Sequence, residues 1–229
     1  MTHLLINVLP IALLGGLLGL DVVCFPQAMI SRPLVAATAG GALIGHSLSG
    51  MMVGAALELI ALETLPFGAA RYPEWGSAAT VGGAIYARHF GDPAGAMTMA
   101  VLASVATAWI GGWSMIQLRN GNARAARRHQ GGLDAGARGT VIGLQISGLS
   151  ADLLRGTLLA GIAFAALDPI VTATIAIWDV DARLSRALVV GVAAAVAAGA
   201  AWKLFHSVPW ARWVFLCGLG IGVFILVTR

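Results

Sequence analysis

The sequence predicts an all-α fold: a polytopic transmembrane helical protein in which some helices are broken or re-entrant. Three observations lead there. Of the 229 residues, 59% are hydrophobic and only 10% are charged, and mean hydropathy is +0.86, a balance far from that of a soluble domain. Apolar stretches recur at about 4–20, 33–64, 77–90, 94–118, 140–176, 186–206 and 208–228, against the roughly 20 residues that one helical span needs. Their lengths are uneven, and glycine, proline or an ionisable residue interrupts several of them, the pattern of broken transporter elements. A single integral-membrane domain over 1–229 is therefore expected, with a basic cytoplasmic loop at about 119–139.

The opening MTHLLINVLPIALLGGLLGLDVVC has no Lys or Arg ahead of its apolar run and no small-x-small cleavage site, so it reads as a retained first helix. The stretch 33–64 is too long for one simple span. Glycines and His46 near its middle predict a turn, leaving a short element followed by a helix that carries Glu58. Residues 77–90, SAATVGGAIYARHF, are too short to span and contain a double glycine before Arg88 and His89. They read as a re-entrant segment or broken helix, which persists at membrane depth only inside protein or along a cavity.

After the span at 94–118 comes RNGNARAARRHQGGLDAGARG, where Arg119, Arg124, Arg127, Arg128 and Arg138 are opposed only by Asp134. The positive-inside rule places this loop in the cytoplasm. It lacks the interleaved aromatics of a nucleic-acid surface, and no nucleic-acid partner is expected. In 140–176, Asp152 and Arg155 are three apart and could pair on one helix face, while Asp168-Pro169 should interrupt the helix.

Tryptophans 75, 109, 113, 178, 202, 210 and 213 lie mostly near the ends of the apolar runs, as interfacial anchors do. Gly218-Leu-Gly-Ile-Gly222 has no strand before it and reads as helix packing, not as a nucleotide fingerprint. Cys24 and Cys217 are too far apart to suggest a disulfide framework or a metal set. No metal or other cofactor is expected.

The chemistry concentrates between Gly40 and Glu63, in GGALIGHSLSGMMVGAALELIALE. A carboxylate is costly in hydrocarbon, so Glu58 must face protein or a wet cavity. On a helix, Gly50, Gly54 and Glu58 recur every four positions and share one face. That face allows close approach by a neighbouring element or by a sugar-sized ligand, whose hydroxyls could donate to the carboxylate. Glu63 lies roughly 140° around the helix from Glu58 and belongs to a helix end. His46 could donate to a sugar hydroxyl, carry protons or serve as a structural group. Arg32, just before Pro33, could bind ligand, pair with Asp21 or mark the interface.

Three stretches carry a resemblance to a known family. They are Gln27 to Leu34 (QAMISRPL), Gly41-x-x-x-Gly45-His46-x-x-x-Gly50 running into Met51-Met-Val-Gly54-Ala-Ala-Leu57-Glu58-Leu59, and Phe67-Gly68-Ala69 followed by Pro73-Glu74. Over its first hundred or so residues the chain resembles the mannose-type (mannose, fructose and sorbose) enzyme IIC membrane subunits of the bacterial sugar phosphotransferase system. The resemblance implies a multi-pass inner-membrane permease that binds and moves a hexose-like sugar, pairs with an enzyme IID membrane subunit and forms an oligomer. It further implies that a cytoplasmic IIAB protein phosphorylates the sugar, so that this chain carries no catalytic residue. Glu58, His46, Gln27 and Arg32 are the expected substrate-binding residues, and Gly41, Gly45, Gly50 and Gly54 the expected helix-packing positions. A proton-coupled sugar carrier using Glu58, His46 and Glu63, or a non-transporting membrane sensor of the same fold, is the alternative.

Overall fold

A computed structural model describes residues 2–22, 24–64, 72–89, 93–205 and 208–228, the side chains of 2–7, 204 and 226 excepted. The Phe67-Gly68-Ala69 stretch lies outside the described residues. Those described form helices and turns, with no strand among them. In order these are α1 (Thr2–Asp21), α2 (Pro33–Leu43), α3 (Ser47–Ala61) with a 3₁₀ turn at Leu62–Thr64, α4 (Trp75–Arg88), α5 (Ala96–Arg128), α6 (Gln130–Asp134), α7 (Arg138–Ala176), α8 (Ala182–Phe205) and α9 (Ala211–Val227). Four of these segments are long and apolar enough to cross a membrane: α3 with its 3₁₀ turn, α5, α7 and α8. The expected multi-pass, all-α architecture is present.

The break expected inside 33–64 falls at Ile44–His46, where Gly45 has φ +91°. Only a residue without a Cβ enters that region at little cost, and the chain reverses there. Pro33 sets the first turn of α2, as its fixed φ favours. Contacts of Gly41 with Gly50 and of Gly54 with Leu34 show that α2 and α3 run antiparallel as a hairpin.

Up to Arg88 the 77–90 stretch belongs to an unbroken helix, α4, buried from Trp75 to Ala87. Its 14 residues reach about 21 Å, short of the roughly 30 Å of hydrocarbon. It is walled by α1, α2, α3, α5 and α7, the protein surroundings that a short element at membrane depth requires. Trp75 is buried here and donates from Nε1 to Thr64 Oγ1 at 3.1 Å, so this tryptophan is a packing residue and not an interfacial anchor.

Two sequence expectations fail in the same direction. Asp168-Pro169 does not end a helix, because α7 runs 39 residues straight through it. Phe164 and Val171 are buried on either side, and Asp168 is tied to Arg88 at 3.0 Å; packing outweighs the loss of one backbone hydrogen bond at the proline. Nor is 119–139 mainly a loop. α5 continues to Arg128, α6 follows, and α7 begins at Arg138. Alanine and arginine are good helix formers, and Arg127 and Arg128 complement the negative end of the α5 dipole. At 33 residues, α5 is about 50 Å long, so α5 and α7 together carry the arginines on a helical arm.

Candidate functional site

Asp21, at the end of α1, organises the loop that follows it. Its Oδ1 accepts from Ala28 N at 2.6 Å, and its Oδ2 accepts from Ser31 N at 2.9 Å and Ser31 Oγ at 2.8 Å. Within that loop Gln27 and Met29 hold φ of 58° and 62°, a left-handed region that non-glycine residues enter at a cost. The buried carboxylate, 2% exposed, offsets that cost by satisfying three donors. Asp21→Ala should therefore leave three donors without their acceptor and lower the melting temperature by about 5–10 °C, taking roughly 1 kcal/mol per donor. Thermal unfolding of the purified protein measures this, and an unchanged midpoint would show that the loop is held in some other way.

The loop delivers Arg32 to Glu58. Arg32 Nε donates to Glu58 Oε1 at 2.6 Å, Nη2 donates to the same oxygen, and Leu34 N donates to Oε2 at 3.1 Å. Asp21, the protein partner weighed for Arg32, is taken by its own loop, and the guanidinium pairs with Glu58, a partner the sequence reading did not weigh. The carboxylate thus both fixes the guanidinium and receives an amide at the start of α2, where the helix dipole favours negative charge. An ionised carboxylate has about four acceptor positions, so one on Oε2 stays open to a further donor. The face of α3 bearing Gly50, Gly54 and Glu58 lies against α2: Gly50 meets Ala37 and Gly41, and Gly54 meets Pro33 and Leu34. The close approach seen in the sequence belongs to a neighbouring element. Gly45 has no such neighbour within 4 Å and acts through its turn conformation.

A cavity of about 370 Å³ lies beside this pair, lined by Asp21, Gln27, Arg32, Thr64, Tyr72 and Trp75 among others. Its size falls in the range of small-molecule sites, about 300–1,000 Å³. Gln27 and Arg32 line it, whereas Glu58 stands behind Arg32. His46 is not part of this group. It occupies the N-cap position at the far end of α3, without a capping bond from its side chain, roughly 18 Å from Glu58 at 1.5 Å per residue. Glu63 sits in the 3₁₀ turn and accepts from Lys203 Nζ at 3.0 Å, at the helix end expected for it.

A second polar cluster lies on the other side of the same loop. Asp152 and Arg155 form the expected pair, with Arg155 Nε donating to Oδ1 at 2.8 Å, and Arg155 Nη1 reaches Ser114 Oγ at 3.2 Å. Cys24 Sγ donates to Asp152 Oδ2 at 3.0 Å. Glu74, 1% exposed, caps α4 by accepting from Ser77 N at 3.0 Å. Sequence reasoning missed the organising roles of Asp21 and Glu74. Asp21 does close an apolar run just ahead of the SRPL stretch, and Glu74 precedes a helix at a capping position, which were the available signals. Among the described residues no cluster of His, Cys, Asp and Glu is arranged to hold a metal.

Comparison with known proteins adds two findings. A family model described as "PTS system sorbose-specific IIC component" matches residues 5–128. A solved structure described as "Structure of membrane protein" superposes with a TM-score of 0.71 at 18% identity, covering 100% of this chain and 94% of its own. At that identity the likeness concerns fold alone. No curated protein matches.

Proposed function

Because the chain belongs to the sorbose-type IIC family, the membrane subunits of a sugar phosphotransferase system, we propose that it binds a hexose beside the Arg32–Glu58 pair and passes it inward for phosphorylation. The observation that carries this reading is the joining of two separate family-like stretches, Gln27–Leu34 and Gly41–Leu59, at one ion pair on the edge of a cavity. Gln27 and Arg32 offer hydroxyl-binding groups directly into that cavity. Glu58, behind Arg32, fixes the guanidinium that Arg32 presents to the cavity. His46 lies outside this assignment and serves the hairpin turn.

In this reading the protein sits in a bacterial inner membrane with the basic α5–α7 arm in the cytoplasm, as the positive-inside rule requires. An enzyme IID subunit completes the sugar path. A cytoplasmic IIAB protein supplies the phosphoryl group, docking by charge against the arginines of the arm. Access alternates when the α2–α3 hairpin and α4, packed backbone to backbone, move as one body against the long helices.

The test is sugar uptake into membrane vesicles holding the chain with its IID partner and supplied with IIAB. Uptake should require phosphoenolpyruvate and survive collapse of the proton gradient. Uptake that ignores phosphoenolpyruvate and stops with the gradient would transfer the assignment to a proton-coupled carrier. Binding of sugar with no uptake in either condition would favour a sensor.

A further inference from the structure

A second cavity, of about 560 Å³, lies between α5 and α7 and is lined by Cys24, Arg119, Asn122, Gln145, Ser147 and Asp152 among others. Arg119 and Asn122 are three apart on α5, and Gln145 and Asp152 are two helical turns apart on α7, so each helix turns a polar stripe toward the other. Amide and hydroxyl side chains both donate and accept. The wall carries two amides, a hydroxyl and a guanidinium among apolar residues such as Met115, Leu118 and Leu149, and Asp152 is already held by Arg155 and Cys24; the amides and the hydroxyl suit a solute with several hydroxyls set on a partly apolar frame.

Its position is as informative as its lining. At the level of the first cavity, Glu74 N donates to Ala108 O, and Asn122 lies roughly 21 Å further along α5 toward the basic arm. A contact between described residues joins the two linings. Arg119 Nη2 donates to the Tyr72 hydroxyl at 2.8 Å, with its guanidinium carbon 5.5 Å from the centre of the Tyr72 ring. Tyr72 lines the first cavity and Arg119 the second. Within the second lining, Cys24 of the Asp21 loop holds Asp152 of α7.

We propose that the α5–α7 cavity is a second sugar subsite, which receives the neutral hexose from the first cavity and holds it for the phosphoryl donor, with Tyr72–Arg119 closing the passage between them. This rests on the reading of the protein as a phosphotransferase sugar subunit. The Asp21 loop then serves both sites, with Gln27 and Arg32 facing one and Cys24 the other.

The test uses the full chain with its partners in vesicles, with D-mannose, D-fructose and L-sorbose as probes, and follows whichever the wild type takes up with phosphoenolpyruvate. An Asn122→Ala/Gln145→Ala double variant should raise the KM of coupled uptake about tenfold, with unchanged elution of the purified protein on size-exclusion chromatography. Tyr72→Phe should let sugar equilibrate across the vesicle without phosphoenolpyruvate about tenfold faster than the wild type. A well-folded double variant with the wild-type KM overturns the subsite. If the double variant does not fold, Tyr72→Phe decides, and a wild-type leak rate overturns the proposal. If the wild type takes up none of the three sugars with phosphoenolpyruvate, the functional reading itself fails. Active wild type beside two wild-type-like variants removes only the second subsite.

Discussion

Glu58→Gln should abolish phosphoenolpyruvate-dependent sugar uptake while leaving the protein inserted and folded. The amide keeps the size of the side chain but offers one acceptor oxygen and one donor group where the carboxylate offers two acceptors. If the amide nitrogen turns toward Arg32 it meets Nε and Nη2, both donors; if it turns the other way it meets Leu34 N, also a donor. Either orientation sets donor against donor and leaves the guanidinium unneutralised. Breaking a fully buried ion pair costs about 3–5 kcal/mol. Here the side chains are 33% and 23% exposed, so water screens part of that loss and roughly 2 kcal/mol is the better figure. That alone is about thirtyfold in an equilibrium constant, and the open acceptor position on Oε2 is altered as well. Radiolabelled sugar uptake and the yield of protein extracted from membranes measure the two halves of the prediction. Normal uptake by a correctly inserted variant would remove Glu58 from the site.

How far the sequence foretold this arrangement depends on the distance over which each feature is decided. The turn at Gly45 and the shared face of Gly50, Gly54 and Glu58 are local, set by conformational freedom and helical period, and they were legible. The pairing of Arg32 with Glu58 spans 26 positions. It depends on how the hairpin reverses and where the Asp21 loop lands, and the sequence reading, which weighed a ligand, Asp21 and the membrane interface for Arg32, did not reach it. Pro169 misleads for the opposite reason. Its local signal to stop is real, but the burial of Phe164 and Val171 and the Arg88 contact act from other elements. The basic stretch after 118 gave its sign from composition, while its helical form came from the alanines interleaved with the arginines. Glu74 was hidden because a capping carboxylate and a buried one look alike until α4 is enclosed.

Gly50→Val should prevent the protein from surviving detergent extraction as a single folded species, whereas Gly218→Val should leave its melting temperature within about 2 °C of wild type. In sequence the two glycines look equivalent, since each stands in an apolar helix with another glycine four positions on. Their surroundings differ. A Cβ at Gly50 would overlap the Ala37 carbonyl and lie 3.0 Å from Gly41 Cα, so the obstruction is backbone, which no rotamer change can relieve. Gly83 of α4 packs against the same Ala37 backbone, so α2 is held by two helices at this point. Valine adds two methyl groups to that contact, and overpacking against fixed backbone exceeds the usual 1–3 kcal/mol, reaching about 4 kcal/mol or more. At Gly218 nothing among the described residues lies within 4 Å of the added carbon, and among them α9 touches only α8 of the other helices; a change there costs at most about 0.5 kcal/mol. Size-exclusion profiles and thermal unfolding of both variants give the comparison. A stable Gly50→Val protein would mean that α2 and α3 can separate, and the hairpin could then not move with α4 as the rigid carrier of the sugar site.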